Sequence, residues 1–372
     1  MTHWFWVLPI ACALYWGAAL AAAVAFLLRR QAPAARALPA VSLLKPVRGR
    51  RQDFYSCIRS HAAQDGPEFE LLFAVKDPED PAVAEIRRLA AEFPERRIEV
   101  FVTAEEYGPN DKVNSLERLR RECRHEVLVV SDSDIRVGPD WLRRVTAPLH
   151  DPGVGMVTCL YRGAPGGGLP SLLEALWIAA DFQPSVLVAR LLGIRFALGA
   201  TMAFRRADLD AAGGFAPLAA YLADDYRLGR AISGQGRKIV MSDYPVETLL
   251  AEDSWRESWR HRVRWGRTLR VCRPAGYAGM LITFAVPVAL ASLAVCLCGW
   301  GLAAACVGLR LAAGWAVGSR LLGDRAVGRY LLLIPVADLM SFLVWAVSLV
   351  GREVSWRGTR FRLNADGTLE RR

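Results

Sequence analysis

The chain has 372 residues, 53% of them hydrophobic, and a formal net charge of +10. Its length allows one sizeable α/β domain together with membrane segments, and its apolar runs crowd the two ends instead of spreading evenly. The positive charge fits either nucleic acid or an anionic leaflet. No nucleic-acid-binding motif accompanies it, and the arginines stand beside apolar runs: Arg29 and Arg30, Arg270 and Arg273, then Arg352, Arg357, Arg360 and Arg362. The lipid bilayer is therefore the expected partner and nucleic acid is not. Eight cysteines show neither a CxxC pair nor zinc-ligand spacing, which excludes a disulfide framework from the expectations. Cys296 and Cys298 fall in an apolar run, where thiols act as small hydrophobes.

In chain order, Trp4–Leu28 is the first element, apolar throughout and longer than the ~20 residues a crossing helix needs. Only His3 precedes it, whereas Arg29 and Arg30 follow, the charge order of an anchor and not of a cleaved signal peptide. The positive-inside rule puts the N-terminus outside and the next domain in the cytoplasm. Ala35–Pro39 reads as a linker. Short apolar runs then alternate with helical patterns. The predicted strands are Val41–Leu44, Phe69–Val75, Ile98–Val102, Val127–Val130 and Val154–Leu160; the predicted helices include Pro81–Phe93 and Asn114–Arg124. Such alternation indicates a largely parallel sheet covered on both faces, with ligands at the carboxyl ends of its strands.

Polar residues recur at those ends. Lys45-Pro46 follows the first strand, Lys76-Asp77 the second, and Ser131-Asp132-Ser133-Asp134 the fourth. Asp132 and Asp134 form a D-x-D, a pair suited to a hard divalent cation (Mg²⁺ or Mn²⁺) that bridges to a diphosphate. A solvated loop is the bland alternative, and the preceding buried strand argues against it. Asp224-Asp225-Tyr226 precedes the helical pattern Arg227–Ser233. One carboxylate can cap that helix while the other faces a ligand, and Asp225 is the expected general base. Trp255–Arg270 reads as an amphipathic helix with His261, Arg264, Trp265 and Thr268 on one face. Arg264 suits diphosphate, Trp265 a packing role, and the helix also suits a juxtamembrane position.

Three further apolar stretches follow, at Tyr277–Cys298, Gly301–Gly318 and Tyr330–Val350. If all three crossed, the basic segment Gly351–Leu363 would lie outside, against the positive-inside rule. One stretch is therefore expected to lie in the interface or re-enter, and the first, which contains Pro287, is the candidate. Arg310 and Asp338 stand inside apolar stretches, where structural pairing is the expected role and a lipid-acceptor path the alternative. The expected organisation is an anchor over 1–30, an α/β domain over 40–272, membrane segments over 273–351 and a basic cytosolic tail over 352–372.

Taken together, the motifs resemble the ceramide glucosyltransferase family, within the processive-type GT-A glycosyltransferases. They are LKPVRG at Leu44–Gly49, KDPEDPA at Lys76–Ala82, DKVNSL at Asp111–Leu116 and SDSDIRV at Ser131–Val137. GATMAFRR at Gly199–Arg206, ADDYRLGRAI at Ala223–Ile232 and HRVRW at His261–Trp265 complete the series. The resemblance implies a Rossmann-like GT-A domain and an inverting enzyme using a UDP-sugar. It implies Asp77 at the nucleotide, Asp132 and Asp134 at the metal and diphosphate, and Asp225 as base. Lys45, Lys112 and Asn114 would help hold the nucleotide-sugar, and Arg264 and Trp265 would act at the diphosphate and acceptor side. The signature usually opens with Gln or Arg where this chain has His261, and Gln183 stands where animal members carry a His near the acceptor. Both differences bear on the acceptor. The alanine- and arginine-rich composition points to a bacterial source, hence to the inner membrane. In bacteria the resemblance extends to a hopanoid biosynthesis-associated glycosyltransferase acting with UDP-N-acetylglucosamine on a polyol-bearing triterpenoid. Ceramide with UDP-glucose is the other pairing. A processive polysaccharide synthase and a non-catalytic membrane scaffold are the alternatives. The few spans argue against the first, and the intact Asp77, Asp132, Asp134, Asp225 and Arg264 against the second.

Overall fold

A computed structural model describes residues 6–29, 38–50, 53–251, 254–295, 299–356 and 358–372. His3, Trp4, Arg30, Ala35, Cys296, Cys298 and Arg357 lie outside the described residues. The chain forms two compact units, one of Gln31–Leu160 with Arg195–Leu249, the other of Met1–Arg30, Tyr161–Ile194 and Leu250–Arg372.

The first unit is an α/β layer structure. Its strands are β1 (Val41–Pro46), β2 (Phe69–Val75), β3 (Ile98–Val102), β4 (Val127–Val130), β5 (Ile135–Arg136), β6 (from Val154), β7 (Met202–Arg205) and β8 (Lys238–Leu249), in the order β3-β2-β1-β4-β7-β6-β8-β5. β1, β2, β3 and β4 run parallel, and β7 is antiparallel to β4 and β6. Every residue of β1, β2 and β4 is buried, as expected for strands covered on both faces. The helix Asp111–Glu122 contributes Val113, Leu116 and Leu119 to the core that contains Leu44, Leu72 and Val130. From β1 the chain adds β2 and β3 on one side and then crosses to place β4 on the other. The sheet therefore has a topological switch between β1 and β4, the position at which ligands bind open α/β sheets. Three strands, β5, β7 and β8, were not legible in the sequence. β5 has two residues, and β7 is a four-residue run with no alternation to mark it.

Among the described residues, the second unit contains four helices long and apolar enough to cross a membrane: Val7–Leu28, Gly168–Leu191, Trp300–Leu321 and Leu331–Ser348. Gly168–Leu191 was not anticipated, because Glu174, Asp181 and Gln183 break up its apolar pattern. The stretch expected to re-enter is a pair of helices, Pro274–Thr283 and Ala285–Ala294, bent by 64°. The bend lies before Pro287, which sits in the first turn of the second helix, where proline is tolerated. The N–H of Val286 at the break is instead taken by Asp338 Oδ2 at 2.8 Å. Asp338 Oδ1 accepts Arg310 Nε at 3.2 Å, and both side chains are at most 1% exposed. Arg310 Nη1 donates to the carbonyl of Ala180 at 2.5 Å, and the guanidinium lies 4.3 Å from the Trp16 ring centroid. The Trp16 indole N–H donates to the carbonyl of Thr283 at 3.0 Å. Paired and hydrogen-bonded in this way, the two ionisable groups take the structural role expected of them. After the last long helix, β9 (Glu353–Trp356), β10 (Thr359–Leu363) and β11 (Leu369–Arg371) form an antiparallel sheet where the sequence offered only a basic tail.

Candidate active site

In the first unit the charged residues gather at the switch point. β1 ends at Lys45-Pro46 and β4 runs into Ser131 and Asp132. The fully buried Lys45 ammonium donates to the carbonyl of Asp132 at 2.9 Å and to Ser131 Oγ at 3.4 Å. Burial pushes Lys45 down to about 8, against the pull of Asp132 and Asp134. Below it, His61 is held neutral by burial and by Lys45. Its Nδ1–H donates to the carbonyl of Cys57 at 2.9 Å, which leaves Nε2 to accept from Ser131 Oγ at 3.1 Å. A lysine and a neutral histidine thus fix the turn carrying the D-x-D. His61 was missed in the sequence, where nothing distinguishes it from any helical histidine.

Lys112 stands in the first turn of the helix Asp111–Glu122, whose N-cap Asn110 accepts the N–H groups of Lys112 and Val113. Its Nζ lies 2.8 Å from Asp132 Oδ1 and 3.5 Å from Asp224 Oδ2. Burial disfavours this ammonium, but Asp132, Asp224 and Asp225 more than compensate and hold it above the ordinary lysine value. Asp225 stands in the first turn of the helix Asp224–Gly234. Its Oδ2 accepts the N–H of Gly199 at 2.8 Å and its Oδ1 that of Tyr226 at 2.7 Å. Burial, reinforced by the neighbouring charge of Asp224, pushes Asp225 up to about 6. Asp224 is raised too, mainly by burial, and its Oδ2 has no hydrogen-bond partner. Gly199 has a local reason: a Cβ there would come within 3.1 Å of Asp225 Oδ2 and 3.4 Å of Lys112 Nζ.

The remaining predicted residues of this unit are placed differently. Asp77 is exposed after β2, where its Oδ1 accepts the N–H of Glu79 at 2.9 Å. Asn114 is buried with its amide bonded to the backbone of Tyr107 and Gly108, at 3.0 and 2.9 Å, so it shapes the loop before the helix. Asp134 sits in the turn after Asp132, with its carbonyl accepting the N–H of Leu249 at 2.9 Å. No group of three or more His, Cys, Asp or Glu side chains could hold a metal among the described residues. The donor set present, two carboxylates on one turn, fits a divalent cation that takes its other ligands from phosphate and water.

The second unit holds the rest. His261 Nδ1 lies 2.6 Å from Glu174 Oε1, and Ser258 donates to Glu174 Oε2 at 3.0 Å. Trp265 packs edge-on against His261, Trp177 and Phe182, with centroid separations of 5.4, 5.4 and 5.5 Å. His261, Arg264, Trp265 and Thr268 are all half-buried, as their shared helix face predicts. The face buried deepest carries Ser258, Arg262, Val263 and Gly266. Arg262 was not anticipated: it donates to Ser341 Oγ at 2.7 Å, and burial pushes it down to about 10. Gln183 is fully buried, with neither amide atom hydrogen-bonded. Glu174 had a signal in the sequence, as an ionisable residue inside an apolar segment.

A parallel core with carboxylates after β4, and antiparallel β7 and β6 beyond it, is the GT-A arrangement. The family model described as glycosyl transferase family 21 matches residues 5–369. The chain belongs to that family. Ceramide glucosyltransferase 1 of Caenorhabditis elegans is 28% identical over 210 residues, 56% of this chain and 45% of the relative. Ceramide glucosyltransferase of Candida albicans is 27% identical over 122 residues, 30% of this chain and 22% of the relative. The chain thus matches less than half the length of these curated relatives. Among solved structures, the mannosyltransferase PcManGT of Pyrobaculum calidifontis, in complex with GDP-Man and Mn²⁺, superposes with a TM-score of 0.54 at 20% identity. That match covers 93% of this family 21 chain and 99% of the other, and at this identity it concerns the fold.

Proposed function

We propose that this family 21 chain transfers a sugar from a UDP-sugar to a hydroxyl of a membrane lipid, with inversion at the anomeric carbon. The observation that carries the reading is Asp225, a half-buried carboxylate pushed up to about 6 and fixed by two backbone N–H groups. That value leaves it ionised at neutral pH yet basic enough to take the proton of an attacking alcohol. As the lipid oxygen bonds to the anomeric carbon, Asp225 accepts its proton. The bond from that carbon to the diphosphate breaks on the opposite face, and UDP leaves with the electron pair. Lys112 keeps the carboxylates in place and offsets their charge, and Lys45 supports the turn of Asp132. Asp77 and Asn114 serve the nucleotide, Asn114 through the loop it holds. Asp132 and Asp134 would hold a divalent cation, Mg²⁺ or Mn²⁺, which when bound neutralises diphosphate charge.

In the same reading Arg264 and Trp265 act at the diphosphate and acceptor side, and His261 and Gln183 belong to the acceptor region. Residues 1–30 and 273–351 hold the protein in a bacterial inner membrane, 40–272 face the cytoplasm with the chemistry, and 352–372 form a cytosolic tail. The donor is UDP-N-acetylglucosamine with a hopanoid polyol, or UDP-glucose with ceramide. Asp225→Asn tests the assignment of the base. Turnover is expected to fall about 10³-fold, within the range for loss of a general base, while donor affinity stays within about twofold. Normal turnover by this variant would remove Asp225 from the mechanism.

A further inference from the structure

The C-terminal sheet carries a feature that the transfer reaction leaves unused. An open cavity of about 400 Å³ is lined by Arg267, Gly351, Arg352, Glu353, Arg362 and Arg372. Four guanidiniums thus meet one carboxylate, and Arg372 already pairs with that carboxylate at 2.7 Å. Arg352 and Arg362 pair with no carboxylate among the described residues. Arg267 is held in place: its Nη1 donates to the carbonyl of Glu353, while its buried Nε has no hydrogen-bond partner. Burial, and after it the nearby Arg270, push the Arg267 guanidinium below its ordinary value. Gly351 is part of the construction. Its φ of +79° turns the chain there, and a Cβ would stand 2.6 Å from Arg267 Nη2. Elsewhere, exposed arginines such as Arg136 and Arg144 have acidic partners in Glu247 and Asp243.

The place of the cavity narrows the ligand. Gly351 and Arg352 follow within four residues of Ser348, where the last apolar helix ends. Between them, Leu349 and Val350 are exposed, and Arg270 clasps the carbonyls of Leu349 and Gly351. Tyr277 and Trp345 exchange hydrogen bonds at the same level, through Tyr277 Oη to the Trp345 carbonyl at 3.1 Å and Trp345 Nε1 to the Tyr277 carbonyl at 2.8 Å. Amphipathic aromatics of this kind mark the membrane–water boundary. Planar guanidiniums match phosphate oxygens, and apolar residues beside them match acyl chains. We propose that this cavity binds the phosphate of an anionic membrane phospholipid, with Arg267, Arg352 and Arg362 as its ligands.

The test uses the full-length protein, purified from micelles containing equal phosphatidylglycerol and phosphatidylcholine, with retained lipid counted by native mass spectrometry. Wild type is expected to retain phosphatidylglycerol about a hundredfold over phosphatidylcholine, since each of the three basic residues near a charged surface contributes roughly fivefold. Arg352→Gln with Arg362→Gln should remove most of that preference. Arg360→Gln, on the same strand but outside the cavity, should leave it unchanged. Absence of preference in the wild type would overturn the proposal without recourse to any variant. So would an equal loss in Arg360→Gln, which would mean diffuse surface charge. A third arm adds millimolar inorganic phosphate or glycerol 3-phosphate. Retention of the lipid supports a headgroup site at the bilayer, whereas its displacement would make the cavity a soluble-anion site and overturn the lipid assignment.

Discussion

The two units bury charge in opposite ways. In the membrane-helix unit Arg310 and Asp338 match one to one, and each is further hydrogen-bonded to backbone. In the α/β unit the single ammonium of Lys112 faces Asp132, Asp224 and Asp225, and the neighbouring Lys45 is pushed down by burial. A balanced pair is closed to other partners and holds helices together. An unbalanced cluster keeps carboxylate capacity in reserve, which shows in the raised Asp225. The two sites also differ in exposure, with the Arg310 and Asp338 side chains at most 1% exposed and those of Lys112 and Asp132 at 11% and 35%.

That contrast can be broken from either side. Removing one member of the balanced pair, as in Arg310→Met, should lower stability by about 3–5 kcal/mol, because it strands a buried carboxylate. Thermal unfolding in detergent reads the effect, and Arg310→Met with Asp338→Leu should recover at least half of it. If the single variant melts like the wild type, the pair is not structural. In the unbalanced cluster the readout is activity. Asp225 acts ionised and its pKa is pushed up to about 6, so kcat/KM should rise with pH through about 6 and level off above it. Lys112→Met removes the cation that favours the ionised form, so the rising limb should move to higher pH. A limb that stays in place would separate Lys112 from the base. The smallest effect expected is from His61→Ala. It loses the bonds to Ser131 and Cys57 and should cost about 1–2 kcal/mol of stability, with activity reduced only through the turn of Asp132.

The α/β unit was the more legible of the two in the sequence. Phe69–Val75, Ile98–Val102 and Val127–Val130 are strands over the ranges their apolar runs predicted, and the first and last are buried on both faces, where strands announce themselves. The switch point then brought Lys45 and Asp132 together as their positions at strand ends implied. The membrane unit was less legible. Apolar runs revealed Val7–Leu28, Trp300–Leu321 and Leu331–Ser348, but Gly168–Leu191 was hidden by Glu174, Asp181 and Gln183. Those polar residues are tolerated because the helix is packed among others, and a window of composition cannot register such packing. Asn114 shows a related limit: its place in a motif was readable, but its service to the Tyr107–Gly108 loop needed coordinates.

The central claim, sugar transfer to a membrane lipid with Asp225 as base, is tested most directly by one assay on membranes that contain the protein. UDP-glucose and UDP-N-acetylglucosamine are offered separately against ceramide and a hopanoid polyol, with lipids read by mass spectrometry and Asp225→Asn run in parallel. The account predicts one glycolipid product, either a hexosylated ceramide or an N-acetylhexosaminylated hopanoid, that is absent with Asp225→Asn. No glycolipid from any pairing, or the same product from the variant at the same rate, would contradict it.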